Sequence, residues 1–469
     1  MNIWFLGIAG AGMSALASVL ASKGHVVSGS DEGVFPPVTT YLDHAGIGWR
    51  EGFDAQRLPQ RIDAAIIGSS AKLHLEDNPE LAELARRGVP RFGFAEFLGR
   101  EIEGRFRIVV AGSFGKSTLT ALLAHLLIAA GRDPGWFVGA VPLDLSRTGW
   151  WGADPEFAVE GDEYISGTDD RRSKFLHYHP SALILTSLVH DHLNVFPTMA
   201  DYEAPFAELV GELPPGAPLV CARGFEPIER LVRGRETIWY GLGPGEGYSC
   251  EKIEIGEVTR FTLSTPQGQR IALATPLLGL HNLENITGAA AFLLERELID
   301  PDQLRSGVAS FRGIERRLDR KTKVSPAPVY EGFGSSYEKA RSAIDAILLH
   351  FPDRPAVVVF EPHTFSWRSR SALSWYDHVF EGVDKVVLLP PPTHGAGEDQ
   401  LSQAEIARRI RATGVTTIEA GGGADVLSQL DSSLDGDEVI LLLSSGPLAG
   451  LSATLPAALD RRSWAKKAS

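Results

Sequence analysis

Sulfur is scarce in this chain: 469 residues carry 2 Cys and 3 Met. Two thiols cannot staple a chain of this length, which excludes a disulfide scaffold and suits a reducing compartment, so a cytoplasmic protein is expected. Cys221 and Cys250 are read as buried structural thiols. Long apolar runs are also missing. No stretch reaches the roughly 18 uncharged apolar residues that signal a membrane span, so no membrane insertion is expected. The opening MNIWFLGIAGAGMSALASVLASKGHVV has no basic leading region and no clear small-residue cleavage site, and glycines break it. It reads as a strand and a helix, not as a signal peptide. Positive charge is in deficit too, with 45 Lys plus Arg against 59 Asp plus Glu and a formal net charge of −14. A general nucleic-acid binder would show a basic footprint, so no nucleic-acid partner is expected. An anionic small molecule remains compatible, because a local site can be positive on an acidic protein. The acidic composition fits a monomer or a weak homodimer.

What is present is a repeated alternation of short apolar runs and helical segments. Single cores stop growing near roughly 250–300 residues, so several domains are expected. Ile3–Leu6, Val26–Ser30 and Ala64–Gly68 read as strands around a helix Met13–Ala21. Phe106–Ala111, Phe157–Glu160 and Ala182–Thr186 open a second cycle, and Ala356–Phe360, Lys385–Leu389 and Val439–Leu443 a third. Strand–helix–strand alternation implies right-handed crossovers and parallel sheets. Residues 214–280 carry short alternating runs between turn residues, which predicts an antiparallel patch. The expected fold class is α/β with three domains: a Rossmann-like N-terminal domain (1–104), a central P-loop ATPase-like domain (105–311) and a Rossmann-like C-terminal domain (312–469).

Two glycine loops carry the chemistry. Gly7, Gly10 and Gly12 form G-x-x-G-x-G directly after the first strand. The spacing differs from the dinucleotide fingerprint, but the context of strand, loop and helix is the same. Glycine lets the backbone approach a phosphate, and the helix N-terminus at Ala11 offers free N–H groups and a positive dipole end. Asp31, after Ser30 at the end of the second strand, is placed to accept hydrogen bonds from a ribose or base. The second loop, Gly112-Ser113-Phe114-Gly115-Lys116-Ser117-Thr118, also joins a strand to a helix. Its backbone N–H groups suit phosphates, Lys116 the β/γ oxygens and the Ser117 hydroxyl Mg²⁺. It is a shortened P-loop, with Val110 where the longer pattern has glycine. Downstream acids at Glu160, Asp162 and Glu163, and His190-Asp191-His192, follow strand ends where such a loop needs hard oxygen ligands for Mg²⁺.

In this order the motifs resemble the Mur ligase family of ATP-dependent amide-bond ligases of peptidoglycan synthesis. GIAGAGMSALA, GSFGKST, EGDEY, DHLNVF, GLHNLENITGAAA, FRGIERRL and EPHTFSWRSR carry the resemblance across essentially the whole chain. The resemblance implies ATP held by Gly112, Ser113, Gly115, Lys116, Ser117 and Thr118, with Lys116, Glu163 and His192 as the catalytic set. It implies Mg²⁺ on Ser117, Glu163 and His192, and an adenine site at His281, Asn282 and Asn285. Arg316 or Arg317, with Arg317 preferred, reaches the nucleotide. Gly10, Ala11, Gly12, Ser30 and Asp31 take the UDP-sugar, and His363 and Arg368 the acceptor. The reaction implied runs through an acyl phosphate of the muramyl lactyl group, which an amine then attacks. Two segments, GSDEGVFPPVTTYLDHAGI and DDRRSKFLHYHPSALILTSL, resemble the branch that joins UDP-N-acetylmuramate to the murein tripeptide L-Ala-γ-D-Glu-meso-diaminopimelate. The tripeptide is therefore the expected acceptor, with L-alanine as the alternative and a non-catalytic nucleotide-binding homologue as a further one. The chain departs from the family at Ser113-Phe114, where relatives carry Thr-His, and at Glu331-Gly332-Phe333-Gly334-Ser335-Ser336, where two histidines are replaced by serine.

Overall fold

The computed structural model describes every residue except 35–37, 70–72, 74–76, 168–169, 193–194, 394–398 and 465–469. Pro36 and Pro37, Asp169, and Leu193-Asn194 of the motifs above lie outside the described residues. The strands form three sheets. The first contains β1 (Asn2–Leu6), β2 (Val26–Asp31), β3 (Gly48–Glu51), β4 (Ala64–Ile67) and β5 (Arg91–Gly93) in the order β3-β2-β1-β4-β5, all parallel. The chain leaves β1 to one side and returns to the other at β4. The switch point therefore lies beside the carboxyl end of β1, where a doubly wound sheet binds its ligand.

The second sheet contains β6 (Phe106–Ala111), β7 (Gly135–Phe137), β8 (Gly149–Trp150), β9 (Glu156–Gly161), β10 (Ala182–Leu185), β11 (Leu219–Ala222), β12 (Ile238–Leu242), β13 (Tyr248–Glu254), β14 (Thr259–Ser264) and β15 (Arg270–Thr275). Its order is β15-β14-β13-β12-β11-β10-β6-β9-β7-β8. The central strand β6 pairs in parallel with β10 and β9, so the P-loop, Glu160 and Thr186 emerge at one end. The antiparallel expectation for 214–280 needs correction in its first part, since β11–β12 and β12–β13 pair in parallel. Strands β13, β14 and β15 lie side by side joined by short turns, the second closed by the Thr265 N–H donating to the Gln269 carbonyl at 2.9 Å. The turn residues Gly243–Gly247 look like a hairpin signal, yet they carry the chain back to the same end. Gly247 makes this possible, because its φ is +81° and a Cβ there would lie 1.9 Å from the Trp239 carbonyl oxygen. An antiparallel pair does occur at the far edge, between β7 and β8.

The third sheet contains β16 (Arg317–Arg320), β17 (Val329–Phe333), β18 (Ala356–Phe360), β19 (Lys385–Leu388), β20 (Thr416–Glu419) and β21 (Val439–Ser444), in the order β16-β17-β21-β18-β19-β20. Only the β16–β17 pair of these is antiparallel. The inner strands are continuous apolar runs, because helices cover both faces of such sheets. VILLLS of β21 is buried throughout. The chain separates into two compact units, Met1–Ile253 with Arg260–Thr275 and His281–Ile314, and Glu254–Thr259 with Pro276–Leu280 and Glu315–Ser469. Within the first unit the first two sheets are tied by side chains. Ser18 Oγ donates to the Gly149 carbonyl at 2.7 Å, and Thr148 Oγ1 to Tyr41 OH at 2.7 Å. Among the described residues no helix is long and apolar enough to cross a membrane.

Candidate functional site

The P-loop is shaped by what its glycines avoid. Gly112 has φ +140° and a Cβ there would meet Thr186 Oγ1 at 2.3 Å. Gly115 has φ +82°, and a Cβ would lie 2.5 Å from Asn285 Oδ1. Both positions need glycine for backbone conformation and for space. The second contact brings the helix Leu280–Glu295 onto the loop, with Asn285 Nδ2 donating to Asn282 Oδ1 at 3.3 Å. The two predicted adenine-site asparagines thus flank the loop, both buried.

The loop opens the helix Lys116–Ala129, which is apolar on nearly all sides and packed in the interior. Lys116 Nζ lies 2.8 Å from Glu163 Oε2 and donates to the Gly112 carbonyl at 2.6 Å. Glu163 is fully buried, and its other oxygen accepts from Tyr202 OH at 3.2 Å. His192 Nε2 lies 3.5 Å from the same Glu163 Oε1. That carboxylate, accepting a hydrogen bond from the ring, raises the His192 pKa above its ordinary value against the opposing effect of burial. Lys116, Glu163 and His192 therefore converge, as expected.

Two predicted site residues meet protein partners of their own. Ser117 Oγ donates to Glu160 Oε1 at 2.6 Å, and Glu160 Oε2 accepts the Gly139 N–H at 2.7 Å. The acid beside the Ser117 hydroxyl is thus Glu160, while Glu163 is committed to Lys116. Sequence placed both acids at the end of β9 without separating them, because three residues in a strand and its turn point in different directions. The Ser113 hydroxyl does not face the loop's interior. It donates to the Val189 carbonyl at 2.7 Å, accepts the Val189 N–H at 2.8 Å and lies 2.9 Å from Tyr202 OH, so it clamps the loop that leads to His192. Thr118 is buried in the first turn of the helix. Among the described residues no three His, Cys, Asp or Glu side chains converge as a metal cage. The donor set of Ser117 and Glu160 is hard oxygen at the foot of a phosphate loop. It fits Mg²⁺, which keeps few protein ligands and shares its shell with phosphate and water.

A cavity of about 480 Å³ runs from the first glycine loop to this acid. Gly7, Gly10, Ala11, Gly12 and Asp31 line one end and Glu160, Asp162, Lys174 and Tyr178 the other, with Phe94 and Phe137 between. Asp31 acts here as a loop organiser: Oδ2 accepts the Ala9 N–H at 2.8 Å and Oδ1 the Glu32 N–H at 2.8 Å. Ser30 is not on the wall. Its hydroxyl is buried and donates at 2.6 Å to Glu80 Oε2, which also accepts from Trp4 Nε1 at 3.0 Å. A strand alternates its faces, so Ser30 points away from the side that Asp31 serves. Lys174, Tyr178, Tyr202 and Glu80 went unnoticed in the sequence. Lys174 and Tyr178 lie in the DDRRSKFLHYHPSALILTSL stretch, but only tertiary packing shows what surrounds these four side chains.

In the second unit, Arg317 is exposed on the edge strand β16. Its neighbour Arg316 turns inward. It donates to the carbonyls of Gly446 at 2.8 Å and Ser444 at 3.2 Å and pairs with Glu331 at 3.2 Å. Glu331 also meets Lys321 at 2.9 Å and Ser452 Oγ at 2.8 Å. His363 Nδ1 lies 3.7 Å from Glu361 Oε2, an oxygen that accepts from Ser444 Oγ at 2.7 Å. Arg368 Nη1 donates to the Pro392 carbonyl at 2.7 Å. Ser336 caps the helix Tyr337–His350.

Comparison with known proteins agrees with this layout. Residues 2–105 match the Mur ligase family catalytic domain, and residues 153–293 the Mur ligase middle domain. The UDP-N-acetylmuramate–L-alanine ligase of Halorhodospira halophila is 31% identical over 473 residues, spanning 97% of this chain and 93% of that protein. The crystal structure of the UDP-N-acetylmuramate-alanine ligase of Thermotoga maritima superposes with a TM-score of 0.80 at 20% identity, covering 98% of both chains. A murein peptide ligase from Psychrobacter arcticus gives a TM-score of 0.67 at 22% identity over 99% of both. At these identities the two structures speak for the fold.

Proposed function

Because this chain belongs to the Mur ligase family, we propose that it is an ATP-dependent ligase joining the lactyl carboxylate of UDP-N-acetylmuramate to the amine of L-alanine. The observation that carries the reading is the cavity that connects the Gly10–Gly12 loop with Glu160 at the foot of the P-loop. A sugar nucleotide seated by its diphosphate on the first loop extends along this cavity toward the phosphate loop. Gly10, Ala11 and Gly12 are then the UDP-sugar loop of the first sheet, and Asp31 holds its shape. Gly112, Gly115, Lys116, Ser117 and Thr118 form the ATP loop, Asn282 and Asn285 flank it, and His363 and Arg368 of the second unit serve the acceptor.

The carboxylate attacks the γ-phosphorus and ADP leaves; the amine then attacks the acyl carbon and inorganic phosphate leaves with the bond it replaces. ATP supplies the leaving group that amide formation in water otherwise lacks, and Mg²⁺ neutralises charge on the phosphates when bound. Ser117 and Glu160 would hold that ion. Lys116 would exchange its bond to the Gly112 carbonyl for phosphate oxygens, while Glu163 and Tyr202 keep the ammonium aimed along the loop. Phe94 and Phe137 narrow the cavity and help keep water from the activated acyl group.

L-alanine is proposed as acceptor because the full-length relatives are ligases of that name. This replaces the expected tripeptide as the first reading. The tripeptide is the second reading, because the segment that resembles its branch builds the cavity wall at Lys174 and Tyr178. Measuring ADP release with Mg-ATP and UDP-N-acetylmuramate decides between them. Release stimulated by L-alanine supports the first reading, and release only with L-Ala-γ-D-Glu-meso-diaminopimelate supports the second. No release with either amine overturns the ligase assignment.

A further inference from the structure

Two side chains in the cavity wall have no role in the site described so far. The acidic residues lining the cavity, Asp31, Glu160 and Asp162, already have protein partners, Asp162 through the Tyr164 N–H at 3.0 Å and Lys174 Nζ at 2.6 Å. Three carboxylates by themselves repel an anionic ligand. Lys174 is the cation among the described residues of that wall, with its side chain 13% exposed and its Nζ within 5.5 Å of the Phe94 ring centroid. An ammonium has three donor protons, more than one carboxylate oxygen uses. Tyr178 is 1% exposed, and its hydroxyl has no hydrogen-bond partner among the described residues. A buried polar atom without a partner calls for an explanation in a folded protein, and on a cavity wall a ligand atom supplies one. Lys174–His177 form one helical turn that ends on Tyr178, so both groups project from a single short element. Burial, with Asp162 and Glu160 nearby, pushes the phenol pKa well above its ordinary value, so it remains a proton donor at neutral pH.

We propose that Lys174 and Tyr178 together bind the lactyl carboxylate of the sugar nucleotide and hold it facing the P-loop. The inference rests on the ligase reading above and goes further by naming how UDP-N-acetylmuramate is told from other UDP-sugars. A carboxylate offers two oxygens, one for the ammonium and one for the phenol. The diphosphate is the competing anion. The first glycine loop already supplies backbone N–H groups and a helix N-terminus for it.

The test compares dissociation constants of the full chain for UDP-N-acetylmuramate and for UDP-N-acetylglucosamine, which lacks the lactyl carboxylate. Calorimetry is run on the wild type, Tyr178→Phe, Lys174→Met and Lys174→Arg. Tyr178→Phe removes an oxygen that has no partner, so this variant folds. It is expected to cut the preference for the muramate about ten-fold, the worth of one hydrogen bond to a charged group. Lys174→Met abolishes the preference, Lys174→Arg keeps most of it, and binding of UDP-N-acetylglucosamine stays unchanged throughout. An unaltered preference in both Tyr178→Phe and Lys174→Met overturns the inference. Equal weakening of both ligands also overturns it and moves the pair to the diphosphate. A wild type that binds both without preference defeats the inference and leaves the ligase reading standing. A wild type that binds neither defeats the ligase reading, and the inference falls with it.

Discussion

At the residue scale the Lys116–Glu163 pair shows how a buried carboxylate fixes the lysine of the proposed ATP loop. Glu163 is buried and pairs with Lys116 at 2.8 Å. Removing one partner of a buried pair leaves an uncompensated charge, which costs about 3–5 kcal/mol. Lys116→Met is therefore expected to abolish ADP release and also to lower stability by about 3 kcal/mol in urea denaturation. The double variant Lys116→Met/Glu163→Gln should recover part of that stability and none of the activity. If Lys116→Met is as stable as the wild type, the ion pair is not what holds Glu163 in place. Gly115 gives a second residue-level expectation. A Cβ there meets Asn285 Oδ1 at 2.5 Å, on a backbone with φ +82°. Gly115→Ala should cost about 1–3 kcal/mol through backbone strain, with loss of ADP release. Unchanged turnover in that variant would mean the helix carrying Asn285 has room to retreat.

At the scale of elements, one carboxylate organises the first sheet. Glu80, in the first turn of the helix Pro79–Arg86, accepts from Trp4 of β1, from Ser30 of β2 and from the Asp54 N–H at 3.0 Å. Glu80→Ala leaves these buried donors without partners. At about 1–3 kcal/mol for each orphaned group, a loss near 3 kcal/mol is expected from chemical denaturation. A change below 1 kcal/mol would show that water replaces the carboxylate. The helix Tyr337–His350 shows what the two serines before it do in the third sheet. Ser336 accepts the Lys339 N–H as its N-cap, and Ser335 offers its carbonyl to Thr364 Oγ1 at 3.1 Å. Ser336→Ala should cost about 1 kcal/mol of stability. Serine at this position is thus explained by local structure.

Across the whole molecule, histidines with lowered pKa shape the response to mild acid, above the range where the carboxylates titrate. His350 bridges the Gly279 N–H and the Gly256 carbonyl, both at 2.8 Å, which requires a neutral ring with the proton on Nδ1. Burial lowers its pKa, and it also lowers those of His125 and His177. A histidine depressed in the folded state binds its proton more readily when unfolded. The stability it contributes is therefore full above the unfolded value near 6.5 and is lost as pH falls from there toward the folded pKa. His192 has the opposite sign: its raised pKa stabilises below about 6.5, and that contribution is lost as pH rises through the folded value. Three lowered groups against one raised group predict a melting temperature that falls below about pH 6.5. His350→Gln should flatten that fall. A slope identical to the wild type would show that the proton is taken up elsewhere.

The linear chain determined a good deal of this. Periodicity and turn residues predicted parallel α/β sheets, the glycine loops predicted their own strand–loop–helix context, and the motif order pointed to the Mur ligase family. These features are local, since a strand run, a φ > 0 glycine and a loop spacing are each written within a dozen residues. Packing decided what local pattern leaves open. It separated Glu160, which serves Ser117, from Glu163, which serves Lys116, and it turned Ser30 away from the cavity toward Glu80. It made β12 and β13 parallel where their loop resembles a hairpin. It also placed Lys174 and Tyr178 beside a glycine loop more than 150 positions earlier in the chain. The reason is physical: which of two neighbouring acids meets a given cation depends on side-chain direction and burial, and those are properties of the assembled sheet.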